Sequence, residues 1–321
     1  MIEVKYPGKL FILGEFAIME PGNTAIISAV NRFLYARIET SDTLHIETDY
    51  GSVNEHTLYT QEEMAYVGVA YDVSKDFCNV HNIDFKPFKL TLESELNSQE
   101  NKKYGFGSSG VVIVATLSAI LKFQGLEIDR RTLFKLAVVA QKRMNKMSSG
   151  GDLAASIYGG LIRYTRYDLT EVTDDVSCVF KDWNHLIIEP LKHDLNFEVC
   201  WTKESHDTNK ALKNFRKLKE NKPKEYIELL QEANDIVLNA LDDDILSSIA
   251  LYRNWMLKLS KIINYEIETE ALTTLIEISE SLGYEAKVSG SGGGDCGIAM
   301  SKNNDLKEAL IEKWEANGLE Y

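Results

Sequence analysis

A glycine-rich stretch that runs directly into an apolar segment has the residue types of an anion site. Three glycines and two serines fall within six residues: Gly105, Phe106, Gly107, Ser108, Ser109 and Gly110. Glycines let the backbone approach a ligand closely, and the unpaired N–H groups in the first turn of a helix attract anions. The pattern therefore predicts a phosphate site at the start of a helix. An ordinary turn is the alternative, because clusters of glycine and serine are also common in turns.

Two other segments have a similar character. One runs from Pro7 through Lys9 to Glu15, and the other is a loop over residues 289–297 with glycines at positions 290, 292, 293 and 294. Four glycines within five residues predict that the backbone of this loop approaches a ligand closely. A flexible turn between two strands is the alternative.

Length and composition describe a large folded protein. The 321 residues favour two lobes over one domain, and 44% hydrophobic with 26% charged residues is typical of a folded chain. The formal net charge of −14 argues against general binding to nucleic acid or to an acidic membrane surface. Any anionic ligand must therefore meet a local group of cations.

The four cysteines predict a reducing compartment. Cys78, Cys178, Cys200 and Cys296 form no C-x-x-C pair and no spacing with histidine that is typical of zinc sites. The N-terminus lacks an apolar signal region, and the longest apolar run, residues 111–121, is too short to span a bilayer. We therefore expect a cytoplasmic location, with that run as a buried core helix.

Hydrophobic periodicity predicts strands early in the chain. Residues 2–16 have the pattern of a strand, a tight turn at Pro7-Gly8 and a second strand. Alternation predicts further strands at 34–38, 44–46 and 88–92, and helical spacing predicts a helix over 62–80.

The rest of the chain mixes helices and strands. Predicted helices start at Val111, after an N-cap at Asp129, and after residues 148–152. Further helices are expected at 226–241, 245–263, 272–283 and 305–317, and further strands at 161–167, 186–191, 197–202 and 298–301. Residues 203–224 have an excess of five positive charges, which usually indicates a solvated helix face.

Together the motifs resemble those of the GHMP kinase superfamily, over essentially the whole chain. The matching segments read PGKLFILGEFAI at 7–18, KYGFGSSG at 103–110, SSGGDLA at 148–154, WTKE at 201–204 and SGSGGGDCG at 289–297. The resemblance implies an α+β, two-lobed GHMP kinase fold. It implies an S5-like N-terminal domain over 1–193, a ferredoxin-like C-terminal domain over 194–321, and a site between them.

The resemblance also implies ATP-dependent phosphoryl transfer with the nucleotide phosphates over residues 105–110. It makes Ser109 a ligand of Mg²⁺, Asp152 the group facing the attacking oxygen of the substrate, and Lys9 its charged neighbour. These residue types suit the chemistry, since phosphoryl transfer depends mainly on positioning and on neutralising charge.

Each of these residues has a simpler alternative role. Lys9 has the sequence context of a solvated lysine at a strand end. Ser149 and Asp152 have the spacing of a capping box at the head of a short helix. Ser108 and Ser109 are compatible with helix capping alone, and capping and phosphate binding can coexist.

The resemblance further implies the phosphate of (R)-5-phosphomevalonate as the acceptor, with the hydroxyl of mevalonate as the alternative. A phosphorylated acceptor needs cations, so the substrate contacts expected from the motifs are Lys103, Ser149, Lys203, Gly292 and Gly293. Lys102, Arg143 and Lys146 are further candidate cations. A dinucleotide-binding module is disfavoured because no βαβ unit follows the glycine-rich loop over residues 289–297. Retention of Lys9 and Asp152 counts against a non-catalytic binding protein with this fold.

Two positions depart from the wider superfamily. Related kinases often have a glutamate eleven residues before the catalytic aspartate as a second magnesium ligand, whereas this chain has Gln141. Mg²⁺ is therefore expected to be held more loosely, by Ser109, phosphates and water. Phe106 and Gly110 replace a leucine and an alanine of many relatives, and we expect an effect on packing rather than on chemistry.

Overall fold

The computed structural model describes residues 1–96, 104–204 and 208–321, without the side chains of residues 208 and 209. It has two structural units. The first contains Met1–Lys9, Ser28–Ser98 and Phe106–Pro190, and the second contains Leu10–Ile27, Gln99–Gly105 and Leu191–Tyr321. Inclusion of residues 10–27 in the second unit was not anticipated. The expected division at residue 193 stays a prediction.

One mixed sheet contains the seven strands found among the described residues before residue 191. They are β1 (Ile2–Leu13), β2 (Thr24–Thr40), β3 (His45–Thr48), β4 (Gly51–Asn54), β5 (Phe88–Ser94), β6 (Leu161–Thr165) and β7 (Ile187–Pro190). Their order is β4-β3-β5-β2-β6-β7, with β1 also paired to β2. Ile38 of β2 lies opposite Leu90 of β5 in an antiparallel pair, and Ile46 of β3 pairs with the same residue in parallel. Alternation of buried residues along β2 confirms the strand predicted there.

The turn expected at Pro7-Gly8 is wrong, because β1 continues through both residues. Gly8 is instead a point of close approach. A Cβ placed on Gly8 would lie 2.8 Å from the Cβ of Phe106 and 3.0 Å from its carbonyl oxygen. The next residue, Lys9, donates its backbone N–H to that carbonyl over 3.0 Å. The glycine therefore brings β1 against the glycine-rich loop.

The described residues of the first unit form four α-helices: α1 (Ala65–Val80), α2 (Ser108–Phe123), α3 (Arg130–Arg143) and α4 (Gly151–Tyr158). Their predicted positions are confirmed. Helix α2 contacts the other three helices, which explains why its sequence is apolar on nearly all sides. It is the buried core helix that was expected. No helix among the described residues is long and apolar enough to cross a membrane.

The described part of the second unit contains a three-stranded antiparallel sheet and five helices. The strands β8 (Asn196–Trp201), β9 (Glu285–Val288) and β10 (Cys296–Ser301) have the order β8-β10-β9. The helices are α5 (Thr208–Asn221), α6 (Pro223–Asp242), α7 (Ile245–Ile263), α8 (Glu270–Ser281) and α9 (Lys307–Ala316). Helix α5 lies in the basic segment over residues 203–224. The other four confirm the helices predicted in this part of the chain. All four cysteines are buried, and none is in a disulfide.

The predicted N-cap of α3 is confirmed. The Asp129 carboxylate accepts hydrogen bonds from the backbone N–H of Thr132 over 2.9 Å and from its hydroxyl over 2.7 Å. Partial burial opposes ionisation, but these hydrogen bonds prevail and lower the pKa of Asp129. The cap therefore stabilises the fold most when the carboxylate is charged.

We expect Asp129→Ala to lower the free energy of unfolding by about 1 kcal/mol at pH 7. The folded-state pKa is lowered, so the stabilisation is complete above the unfolded pKa of about 4 and disappears as the pH falls through the folded value. Urea unfolding at several pH values measures this. Asp129→Asn is the matched control: it should keep the cap and lose the pH dependence. A pH-independent loss in Asp129→Ala would contradict the ionic contribution.

Candidate functional site

The N-terminus of α2 is open to a ligand. Its N-cap residue, Gly107, has a φ of 76°, and no side chain among the described residues caps this end. The N–H of Gly110 bonds to the Gly107 carbonyl over 3.0 Å. Ser108 and Ser109 come before it in the first turn, where backbone N–H groups have no acceptor within the helix. Both serines are half-buried. The partial positive charge of a 16-residue helix therefore lies at a terminus that begins with two serines.

Lys9 and Asp152 meet at this helix terminus. A Cβ placed on Gly107 would lie 3.2 Å from Cε of Lys9 and 3.3 Å from Cβ of Asp152. Lys9 comes from β1 and Asp152 from the first turn of α4. The structure therefore brings together the two residues predicted to be catalytic, directly beside the predicted phosphate loop.

The environment of Asp152 makes its carboxylate a better proton acceptor. Desolvation by the surrounding protein raises the pKa of Asp152, although Lys9 and hydrogen bonds to the carboxylate oppose the shift. One such bond comes from the hydroxyl of Ser148, 3.1 Å from Oδ1. A carboxylate with a raised pKa next to a lysine is a typical arrangement of a polar reaction centre.

Gly110 is a second point where space is limited. A Cβ on this residue would overlap the Asp152 carboxylate and lie 3.2 Å from Cδ2 of Leu153. We expected glycine at this position to affect packing rather than chemistry, but the group packed against it is the Asp152 carboxylate itself. Glycine at 110 therefore sets where that carboxylate lies.

The alternative role of Ser149 and Asp152, a capping box at the head of α4, is not found. The N-cap of α4 is Gly150, whose φ is 83°. The Ser149 hydroxyl instead accepts from the N–H of Gly151 over 3.2 Å, and Ser149 is buried. The hydroxyl beside Asp152 belongs to Ser148, a residue that the sequence did not single out. Ser149 as a substrate contact stays a prediction.

Gln141 holds Ser148 in place through two hydrogen bonds. Its Oε1 accepts from the Ser148 hydroxyl over 2.9 Å and from the Ser148 N–H over 3.4 Å. Gln141 is 5% exposed. At the position where related kinases have a metal-ligating glutamate, this chain therefore has an amide that fixes the loop preceding Asp152.

Two further residues that the sequence analysis missed hold the same loop. Arg166 is buried and donates from Nη2 to the Ser148 carbonyl over 2.9 Å. Tyr164 donates its hydroxyl to the Ser149 carbonyl over 2.7 Å. The available signal was Arg166 next to Tyr167 in a segment predicted to be a strand, because an arginine that is buried requires buried acceptors.

Other candidate cations of the first unit already have partners. Arg143 forms a 2.7 Å salt bridge to Asp76 and donates to the Asp174 carbonyl over 2.9 Å. Lys146 lies over the ring of Tyr66 at 5.1 Å. Lys102 and Lys103 lie outside the described residues.

In the second unit, an ion pair links the end of the segment from Pro7 to Glu15 to β9, just before the loop over residues 289–297. Lys287 and Glu15 are 0% and 2% exposed, and Nζ lies 2.5 Å from Oε1. Lys287 also donates to the Val288 carbonyl over 2.6 Å. Burial lowers the pKa of Lys287, and Glu15 opposes that shift. Removing either partner would leave a buried charge, so the pair fixes the two segments together.

The loop over residues 289–297 packs against other residues of the second unit. Gly293 donates its N–H to the Ile267 carbonyl over 2.8 Å, and a Cβ on Gly292 would overlap that carbonyl. The need for glycine at 292 therefore comes from the protein backbone, and the expected explanation through a ligand is not required there. Roles of Gly292 and Gly293 as substrate contacts stay predictions.

Gly105 and Lys203 also belong to the second unit. A Cβ on Gly105 would lie 2.8 Å from the Oδ2 of Asp295 in the loop over residues 289–297. Lys203 is exposed, and its φ of 63° is unusual for a residue with a side chain. It follows Thr202, whose N–H donates to the Asp295 carbonyl over 2.9 Å. Asp295 therefore connects these two predicted site segments.

Two family models match segments of this chain. The family model for the GHMP kinases N terminal domain matches residues 65–160, and the model for GHMP kinases C terminal matches residues 240–319. A phosphomevalonate kinase of Streptomyces sp. (strain CL190) is 30% identical, and the alignment covers 98% of this chain and 94% of that relative.

Two solved structures have nearly the same fold. A Lin0012 protein from Listeria innocua has a TM-score of 0.91 and 32% identity, covering 99% of this chain and 95% of that chain. Streptococcus pneumoniae phosphomevalonate kinase, in complex with phosphomevalonate and AMPPNP, has a TM-score of 0.88 and 29% identity, covering 100% and 98%. The expected α+β GHMP kinase fold is confirmed, and this chain belongs to the GHMP kinase family.

Proposed function

We propose that this protein transfers the γ-phosphoryl group of ATP to the phosphate of (R)-5-phosphomevalonate. The observation that carries the proposal is the packing of Lys9 and Asp152 against Gly107, at the open N-terminus of α2. The choice of acceptor is supported by the names of the Streptomyces relative and of the S. pneumoniae neighbour. Buried cysteines outside any disulfide suit a cytoplasmic reaction.

The N-terminus of α2 would hold the nucleotide phosphates. Ser108 and Ser109 offer backbone N–H groups and hydroxyls, and the helix dipole favours the negative charge. Gly107 leaves room there for the Lys9 and Asp152 side chains. The loop over residues 105–110 is accordingly the proposed ATP-binding segment.

Lys9 and Asp152 would act on the acceptor and on the transferring group. Lys9 places a positive charge where negative charge accumulates during transfer. Asp152 orients the acceptor and can receive its proton. A phosphate acceptor is largely ionised near neutral pH, so proton removal contributes less than it would with a hydroxyl acceptor.

The side chains at this terminus fit Mg²⁺ in the manner typical of phosphoryl-transfer sites. Among the described residues, no three acidic, histidine or cysteine side chains form a metal cluster. Mg²⁺ bound with nucleotide phosphates needs only one or two protein oxygens, because phosphates and water supply the others. The Ser109 hydroxyl would hold it together with phosphates and water, and it would neutralise charge on the phosphates.

The acceptor carries a carboxylate and a phosphate, so it needs cations in a protein of net charge −14. Lys103, immediately before the loop, and Lys203 are the proposed partners. Ser149, Gly292 and Gly293 would complete the contacts.

We expect Asp152→Asn to lower kcat about a hundredfold and to stabilise the fold at neutral pH. The folded-state pKa of Asp152 is raised, so the ionised form destabilises the native state and an amide removes that cost. The gain should shrink as the pH falls towards the unfolded value of about 4. Steady-state kinetics and urea unfolding at two pH values measure both effects. A less stable variant that keeps its activity per folded molecule would favour a purely structural role.

We expect Gly110→Ala to lower kcat at least tenfold, because the new methyl group displaces the Asp152 carboxylate. Gly68→Ala is the matched control in α1. Its Cβ would lie 3.3 Å from the ring of Tyr59, an exposed side chain that can move, so activity should be unchanged. Equal kinetics for both variants and the wild type would show that Gly110 does not set the position of Asp152.

We expect Ser109→Ala to raise the Mg²⁺ concentration for half-maximal rate by about tenfold or more. Gln141→Glu should lower that concentration or leave it unchanged. Rates measured across a magnesium titration at fixed ATP test both variants. An unaltered curve for Ser109→Ala would remove this residue from the metal site.

An ADP-release assay over phosphomevalonate, mevalonate, diphosphomevalonate, homoserine and galactose tests the acceptor. We expect phosphomevalonate to be preferred, and Lys103→Met to raise its KM roughly tenfold to a hundredfold, the effect of one charged hydrogen bond. The KM for ATP should change much less. Lys75→Met, at an exposed lysine of α1, is the control. Equal use of mevalonate, or an effect of Lys103→Met on ATP alone, would overturn this choice of acceptor.

A further inference from the structure

A second cleft lies in the first unit, away from Asp152. Its volume is about 780 Å³, and its walls come from β1, β2, α2, the start of α3 and the end of α4. None of the residues placed above in the catalytic cluster or the phosphate loop lines it. It is large enough for a small organic molecule.

The cleft is positively charged in an acidic protein. Lys5, Lys122 and Arg130 line it, against the single carboxylate of Glu127. Among the described residues, no carboxylate oxygen forms a salt bridge with any of these three cations. Their charge is therefore available to an anionic ligand.

The remaining walls offer apolar surface and one unsatisfied hydroxyl. Lys5 Nζ lies 4.6 Å from the centre of the Phe33 ring, and the Arg130 guanidinium lies 5.8 Å from that of Tyr158. Ser156 is 2% exposed, and its hydroxyl has no hydrogen-bond partner among the described residues. A buried hydroxyl without a partner costs free energy, and a ligand atom in the cleft can satisfy it.

We propose that this cleft binds a small organic phosphate with an apolar portion. The phosphate lies among Lys5, Lys122 and Arg130, the apolar portion lies along the aromatic walls, and Ser156 donates its hydroxyl to the ligand. This site is independent of the acceptor proposed above, because neither its residues nor its ligand take part in the transfer reaction.

Three elements connect the cleft to the catalytic cluster. Tyr6 is three residues before Lys9 on β1, and Ser156 is one helical turn after Asp152 on α4. Ser118 is ten residues after Ser108 on α2, a distance of about 15 Å along the helix. An occupant that contacts the end of α4 therefore contacts the same helix that carries Asp152.

Isothermal titration calorimetry with octyl phosphate tests the binding, with octanol and inorganic phosphate as separate probes. We expect octyl phosphate to bind more tightly than either and to weaken as salt is added. Lys122→Gln and Arg130→Gln should each weaken it about fivefold, and Ser156→Ala about threefold to tenfold. Lys75→Gln, an exposed lysine of α1 outside the cleft, removes the same charge and should leave binding unchanged.

Three results would overturn the site. They are the absence of octyl phosphate binding, equal binding of octanol, and a loss of affinity in Lys9→Met without one in Lys122→Gln or Arg130→Gln. The last result would place the phosphate in the catalytic cluster. None of these measurements needs turnover, so they are independent of the kinase assay.

Hydrogen exchange followed by mass spectrometry tests the coupling. Octyl phosphate should slow exchange along α4 as far as Gly151, because that helix joins the cleft to Asp152. Slowing confined to residues 157–160 would show that the occupant does not act on Asp152. The cleft would then bind its ligand without a regulatory effect.

Discussion

The close packing of Lys9 and Asp152 at the start of α2 is the constraint on which the first unit depends. Both side chains must reach the same helix terminus, and neither Gly107 nor Gly110 has space for a Cβ beside them. The same requirement extends to Gly8, which lets β1 approach Phe106 closely enough for the Lys9 backbone to bond there. Glycine is therefore needed at these positions because protein groups of the site occupy the space.

A desolvated carboxylate costs stability, and the surrounding structure has to offset that cost. Burial raises the pKa of Asp152, so at neutral pH the ionised site is less favourable than an ordinary surface aspartate. The loop before it is held by Gln141, Tyr164 and Arg166 through the hydrogen bonds described above. Such sites are stable only when the neighbouring structure determines them strongly.

Sequence patterns predicted the features that depend on local chemistry. Helical periodicity placed α3 and its cap at Asp129, and the glycine-serine pattern placed the start of α2. The errors concern glycine and serine residues whose role depends on a distant neighbour. Pro7-Gly8 predicted a turn because the sequence does not reveal the approach of Phe106. The alternative cap at Ser149 fails because Gly150, in a left-handed conformation, is the N-cap of α4. Buried charges such as Lys287 were missed, since only the fold reveals the partner that makes burial tolerable.

The hydroxyl of Ser148 explains why an amide suits position 141. This hydroxyl has one hydrogen but lies near two acceptors, Oε1 of Gln141 and Oδ1 of Asp152. An ionised Asp152 competes for that hydrogen, whereas a protonated Asp152 can donate to Ser148 and leave the hydrogen to Gln141. A glutamate at 141 would compete for it more strongly and add a second negative charge near Asp152, making ionisation of Asp152 harder still. A neutral amide therefore keeps Asp152 closer to its ionised form, and that form can act beside Lys9 on an anionic acceptor.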